Sequence, residues 1–394
     1  MRHSTLPIEA VGEKTWDAVV LGAGPAGALA ARQLAAGGAR VLLVEKRRFP
    51  RWKVCGACLN GQALAVLRSV GLGDVVDDGS ALPLNEFCVA LGSSGEASRF
   101  PLPEGRAISR ARLDSELVEA AIDAGSAFVS EVEGEVGESL EATRPVRLRC
   151  VEGRQETTVQ GRVVLVAAGL ASRCLERDPT IRTQVRPNSK IGAGCVVDAF
   201  PRFYQEGSIF MAVGRWGYVG LVRVEDGSLN VAAAFDKGFL KASGSPARAA
   251  VEVLAEAGFP AIPELETVQW QGTGGLTRRT TPIARRRLFL LGDSTGYVEP
   301  FTGEGMGWAL ASGRAVVPLA LRGIDCWHSS LEQEWTRLHR RLIGRRQRFC
   351  RWLSTALRHP RAARIVLETA ARVPRISGLM IRHLNHPPLI SPMS

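Results

Sequence analysis

Short apolar runs punctuated by glycine, with alanine- and leucine-rich stretches of helical spacing between them, organise the first part of the chain. The run Asp17-Ala18-Val19-Val20-Leu21 is too short for a buried helix, so it predicts a strand. Ala26 to Ala36 follows as an alanine-rich helix, and a second strand, Arg40 to Val44, ends at Glu45 with Lys46 beside it. The first strand and the helix are joined by Gly22-Ala23-Gly24-Pro25-Ala26-Gly27. Strand, glycine turn, helix and terminal acid together form a dinucleotide-binding unit. Gly22 permits the tight turn, Gly24 lets the backbone approach a pyrophosphate, and Gly27 lets helix and strand pack closely. The helix start at Pro25 and Ala26 faces the anion. Glu45 stands where ribose hydroxyls need an acceptor and where a 2′-phosphate would be repelled.

Ile108-Ser109-Arg110-Ala111-Arg112-Leu113-Asp114 leads into a helix with Leu113, Leu117, Val118, Ala121 and Ala124 on its apolar face, closed by Gly125. Val163 to Ala168 reads as a buried strand ending in Gly169. A further apolar run, Leu288 to Leu291, leads into Gly292-Asp293 and then Pro300-Phe301-Thr302-Gly303-Glu304-Gly305-Met306. The pattern predicts an α/β, Rossmann-like domain in three pieces, 15–79, 107–179 and 270–323. The intervening 80–106 and 180–269 contain alternating runs such as Phe87 to Leu91 and Tyr218 to Val224, with a hairpin signal at Asp226-Gly227. They predict a strand-rich substrate domain. Residues 324–394 predict a basic helical segment, with Leu331, Trp335, Leu338 and Leu342 at helical spacing among Arg337, Arg340, Arg341, Arg345 and Arg346.

A chain of 394 residues, 45% hydrophobic, has room for two or three domains. No apolar stretch reaches the ~18 residues of a membrane span, and Met1 to Thr15 lacks the apolar core of a secretory signal. A cytoplasmic location is expected, and the eight cysteines are expected to be reduced thiols. Between His3 and His328 there is no histidine. That argues against a Ser-His-Asp hydrolase or a histidine-built metal site and suits an enzyme whose cofactor carries the chemistry. The net charge of +11 is concentrated: Trp335 to Leu384 holds thirteen arginines, no lysine and one acid, Glu368, leaving the rest close to neutral.

These residues resemble FAD proteins of the para-hydroxybenzoate hydroxylase fold, within it the geranylgeranyl reductase branch, near the flavin-dependent halogenases. The resemblance runs from about Trp16 to Gly323. It rests on Gly22 to Gly27, Glu45, Lys53-Val54-Cys55-Gly56-Ala57, Arg110 with Leu113-Asp114, and Gly292-Asp293 through Gly305. It implies that Asp293 accepts hydrogen bonds from the flavin ribitol, and that the backbone at Gly303 to Gly305 faces the isoalloxazine and pyrophosphate. The bland readings are an N-cap for Asp293 and loop geometry for the glycines. The Cys55 segment resembles the Lys-Pro-Cys-Gly-Gly stretch of the reductases, whose cysteine lies beside flavin and substrate. Halogenases carry Gly-Glu-Ser there.

Three departures bear on the reaction. The reductases' Tyr-x-Trp-x-Phe-Pro motif is replaced by Arg215-Trp216-Gly217-Tyr218-Val219-Gly220, and the halogenases' Trp-x-Trp-x-Ile-Pro is absent. Ala167-Ala168-Gly169 stands where flavin hydroxylases have Ala-Asp-Gly, an acid tied to their handling of the nicotinamide donor. Cys55 and Cys58 form a CxxC without a second ligand pair for zinc, leaving a redox dithiol or packing thiols. Trp216 and Tyr218 are core residues or ligand contacts. The basic tail covers the flavin domain with a solvated arginine face or docks on a membrane surface, and no motif supports nucleic acid.

The expectation is therefore an FAD-dependent oxidoreductase, with NAD(P)H as candidate donor, passing a hydride to a bulky apolar isoprenoid, quinone or polyketide. Cys55 would line the reaction cavity, with Gly56, Trp216, Tyr218, Pro300 and Phe301 in the substrate pocket. The alternatives are a flavin monooxygenase acting on a phenolic or polyketide substrate, and a non-catalytic flavin-binding membrane partner.

Overall fold

The computed structural model describes residues 4–12, 14–92, 97–153, 155–299 and 303–357, with side chains as far as 351. Thr15–Leu21 lies centrally in a parallel sheet, between Val41–Val44 and Glu156–Val166. Ala127–Val129 pairs outside Val41–Val44, and Leu288–Leu290 pairs outside Glu156–Val166. These strands are nearly continuous apolar runs because both faces are covered. Ala18, Val20 and Leu43 pack towards the helices, while Val19, Leu21 and Leu42 face the opposite layer with Val146 and Val159. The helix Pro25–Ala36 begins where the glycine turn ends and packs against Arg110–Asp123 and Gly305–Asp325. Ser109 caps the second of these, accepting from the Arg112 N–H at 3.1 Å.

A second, seven-stranded sheet is ordered Gln271–Gly275, Ile191–Val197, Leu229–Phe235, Gly217–Arg223, Ser208–Val213, Glu86–Leu91 and Ala97–Pro101. Period-2 alternation splits its residues. Ala193, Cys195, Val219, Val231 and Phe210 form a core with Val253, Leu254 and Phe259, while Gly220, Ala232, Ala234, Tyr218 and Met211 line a cavity. The Asp226-Gly227 pair makes its turn with Gly227 at φ +85° and the Ser228 N–H donating to Asp226 at 2.9 Å.

The segments interleave more than the composition suggests. Gln271–Gly275, expected within the dinucleotide domain, pairs with Ile191–Val197 in the second sheet. Arg182–Val185, expected in the substrate segment, pairs instead with Arg278–Thr281. Residue pattern assigns a strand its faces, but its partner is a long-range choice.

At the C-terminal end, Ser330–His339, the π-turn Arg340–Gly344 and Arg345–Leu357 follow one another. Leu331 and Trp335 are buried in the core of the parallel sheet, and the Trp335 indole donates to the Leu290 carbonyl at 3.1 Å. Arg337, Arg340, Arg341, Arg345 and Arg348 are exposed. No helix of the described residues is long and apolar enough to cross a membrane. The arginines beyond 357 lie outside the described residues.

Candidate active site

Between the two sheets lies a cavity of about 1310 Å³. The glycine turn forms one wall. Gly22 sits at φ +100°, and a Cβ there would stand 2.4 Å from the Ala167 carbonyl oxygen. A Cβ on Gly27 would stand 1.9 Å from the Gly22 carbonyl oxygen, so Gly27 serves helix–strand packing and does not line the cavity. Gly24, Pro25 and Ala26 do line it. A Cβ on Gly24 would occupy cavity space 3.5 Å from Arg110 Nη2, and Gly24 caps the helix without a side chain. The helix therefore presents an open N-terminus to the cavity, as an anion requires.

Four buried charges stand beside this turn. Glu45 accepts from the Ala23 N–H at 3.0 Å and the Arg47 N–H at 3.1 Å, which fixes the acid against the turn. Arg51 bridges Glu45 at 3.2 Å and Asp114 at 3.0 Å, and Asp114 also holds Arg110. Lys46 lines the cavity nearby. Arg51 carries no sequence signal of its own, whereas Asp114 stands in the Arg110 to Asp114 stretch on which the resemblance rests.

Next to the turn, Gly292 (φ +52°), where a Cβ would stand 3.1 Å from that of Ala26, donates its N–H to Ser312 Oγ at 2.9 Å, and Asp293 lines the cavity. The N-cap reading of Asp293 does not hold: the turn Gly292–Thr295 begins one residue earlier, with Leu291 at the cap and no side-chain cap bond. Burial raises the Asp293 carboxyl, while Lys53, Arg110 and Arg278 pull it down. Burial likewise lowers the Lys53 ammonium, helped by Arg110. Gly303, Gly305 and Met306 line the cavity too. Glu304 lies behind them, buried and hydrogen-bonded to the Cys350 thiol.

The cavity continues over the second sheet, where Phe87, Phe100, Leu102 and Met211 line it together with Cys55 and Gly56 of the loop. Asn230 holds this loop by donating to the Cys55 carbonyl at 2.8 Å. Cys55 and Cys58 are free thiols. Cys58 donates to the Gly56 carbonyl at 3.0 Å, and burial, with Cys55 adding, pushes its thiol well up. A thiol held that firmly protonated is a poor redox partner. Tyr218 and Tyr297 both line the cavity. Burial keeps both phenols protonated, and Glu299, hydrogen-bonded to Tyr218, adds to the effect.

Trp216 departs from the expected pocket. It is 46% exposed, stacked under Arg215 at 4.8 Å, and does not line the cavity, because it precedes the strand Gly217–Arg223 and points away from it. Pro300 and Phe301 lie outside the described residues. Nothing local in the sequence marks Tyr297, Arg278 or Glu299; the fold brings Tyr297 and Arg278 to the cavity and sets Glu299 against Tyr218.

A family model described as "FAD binding domain" matches residues 15–214, about half of the chain. The chain belongs to this FAD-binding family. Among curated flavoprotein relatives, the menaquinone reductase of Mycobacterium tuberculosis is 28% identical over 364 residues, covering 88% of this chain and 85% of that protein. Among solved structures, flavin-dependent brominase Bmp2 superposes with a TM-score of 0.77 at 16% identity, covering 94% of each chain. The p-nitrophenol 4-monooxygenase PnpA from Pseudomonas putida DLL-E4 gives 0.76 at 14% identity, covering 95% of this chain and 99% of that one. These structural likenesses show the shared fold. FAD fits the cavity: a helix N-terminus free of side chains, glycines whose Cβ atoms would collide, and a buried acid among three cations suit a long ligand carrying a pyrophosphate. The chain is a flavin-dependent oxidoreductase of this family.

Proposed function

We propose that this flavoprotein reduces a bulky, apolar small molecule, with an isoprenoid or isoprenoid quinone as the favoured substrate class, in the manner of the geranylgeranyl reductase branch. The observation that carries the reading is the chamber between the Cys55-Gly56 loop and the second sheet, walled by Phe87, Phe100, Leu102, Met211 and small residues. Support for the substrate class comes from the menaquinone reductase relative, which is similar over most of both chains.

In this reading Gly22, Gly24, Pro25 and Ala26 receive the FAD pyrophosphate on the open helix N-terminus, with Gly27 packing the helix onto the strand behind them, and Glu45 with Lys46 takes the adenosine ribose end. Arg110 and Lys53 offset the phosphate charge, and Asp293 accepts from the ribitol. Gly292, Gly303, Gly305 and Met306 lie along the flavin, with Glu304 supporting their loop from behind. Bound FAD supplies hydride transfer. The chain's own contribution is to exclude water with the apolar wall, hold the substrate against Cys55 and Tyr218, and deliver a proton. Tyr297 and Tyr218 remain protonated and are placed to donate that proton to the substrate.

The test is a flavin assay on purified protein. Bound FAD absorbance is expected. So is anaerobic reoxidation of chemically reduced enzyme by a prenylated naphthoquinone or an isoprenoid diphosphate, and NADH and NADPH are compared as donors. Turnover that requires oxygen and yields hydroxylated product assigns a monooxygenase instead. Flavin binding with no turnover under either condition points to a non-catalytic role.

A further inference from the structure

Outside the cavity, one group of arginines shares a face. The edge strand Arg182–Val185 runs antiparallel to Arg278–Thr281, with Arg182 opposite Thr281 and Gln184 opposite Arg279. Opposed residues of such a ladder project to the same side. Arg182 and Arg279 therefore share a face, and Arg186, whose N–H extends the ladder to the Thr277 carbonyl at 3.0 Å, comes next on it. The helix Arg345–Leu357 brings Arg348 and Arg351 to the same place: burial, then the charges of Arg186, Arg348 and Arg279, disfavour the charged form of Arg351. Some surface arginines elsewhere are matched, as Arg68 is with Asp77 and Glu104, and Arg322 with Glu334. Arg186, Arg279 and Arg348 enter no ion pair among the described residues.

We propose that this face docks the protein on an anionic lipid bilayer. Guanidinium groups converging from a strand pair and a helix repel one another unless an anionic partner spans them, and each basic side chain near an anionic surface gains about 1 kcal/mol. The sequence that follows is itself basic, with Arg358, Arg361, Arg364, Arg372, Arg375 and Arg382 beside the single acid Glu368 up to Leu384. The face also adjoins the cavity, since Arg278, next to Arg279 and on the other side of its strand, lines it. Docking there brings a wall of the chamber to the membrane. The choice of a bilayer over nucleic acid rests on the proposed apolar substrate, which partitions into lipid.

The experiment is co-sedimentation of the full-length, FAD-loaded protein with phosphatidylglycerol–phosphatidylcholine vesicles, without substrate, at increasing salt. Binding is expected to the mixed vesicles, not to phosphatidylcholine alone, and to fall as salt screens the charges. The Arg186→Gln/Arg279→Gln/Arg348→Gln variant is expected to bind roughly a hundredfold more weakly. An Arg99→Gln/Arg112→Gln control binds like the parent. Flavin absorbance and melting temperature verify that the triple variant is folded, and if it is not, the single Arg279→Gln and Arg348→Gln variants, each about fivefold weaker, serve in its place. Equal binding to neutral vesicles, undiminished binding by folded variants, or binding to duplex DNA or RNA with none to vesicles overturns the proposal. Vesicle binding without quinone or isoprenoid reduction leaves docking standing and removes the redox reading.

Discussion

Asp114 grips Arg110 with both carboxylate oxygens, Oδ1 to Nε at 2.8 Å and Oδ2 to Nη2 at 2.7 Å, one turn along a single helix. The same Oδ2 takes Arg51 Nη1 at 3.0 Å, so one fully buried acid holds two nearly buried guanidinium groups. Removing its charge leaves them facing each other. Asp114→Asn is expected to cost about 3–5 kcal/mol of stability, read by denaturant unfolding. FAD affinity falls with it, because Arg110 loses its fixed position over Gly24.

Two glycines of the turn separate folding from cofactor binding. Gly27→Ala places a methyl 1.9 Å from a backbone oxygen and is expected to prevent stable folding. Gly24→Ala meets only ordinary contact, 3.5 Å from Arg110, but fills space on the cavity side. That variant is expected to keep its circular dichroism and melting behaviour as apoprotein and to bind FAD at least about tenfold more weakly, a difference of ~1.4 kcal/mol by titration.

The phenols test the proton step. With Tyr218 and Tyr297 held protonated by burial and by Glu299, the group that donates is expected to show no alkaline loss of activity below about pH 10. The Phe variant at that position lowers kcat by about 10²–10⁴ while flavin reduction by the electron donor proceeds unchanged in stopped flow. A fall in both rates together assigns the residue to flavin placement.

His339 makes the fold sensitive to acid. It is buried edge-on to Trp335, ring centroids 5.7 Å apart, and burial pushes its imidazole down to about 4. The unfolded chain titrates near 6.5 and so binds the proton first. The stability from keeping His339 neutral is whole above about pH 6.5 and drains away as pH falls towards 4, a loss of roughly 3 kcal/mol. His339→Phe is expected to flatten that limb of the unfolding-versus-pH curve.

How far the sequence speaks depends on how local the cause is. The turn Gly22 to Gly27, the acid at Glu45 and the helix from Arg110 are written in contiguous residues, and the predicted and observed strands there differ by a residue or two. Gln271–Gly275 joins the second sheet and not the dinucleotide domain because a short glycine-rich strand carries no apolar alternation to name its partner. Trp216 lies outside the cavity for a similar reason: an aromatic at a strand's edge points either way until the register is set. Lys53 and Arg278 reach the cavity only because separate segments converge on Asp293, and no window of sequence contains that convergence.

The chamber floor at Gly220, Ala232 and Ala234 is, in effect, a mould cut by omitted carbons. A methyl on Gly220 would press only on the flexible end of Met211, at 3.2 Å, and reach ordinary contact with the Ala232 carbonyl oxygen at 3.6 Å. Substrate length and girth can thus be redrawn one carbon at a time, on a sheet separate from the strands that cradle the flavin. Lineages sharing this scaffold have a route to new substrates that leaves their redox machinery untouched.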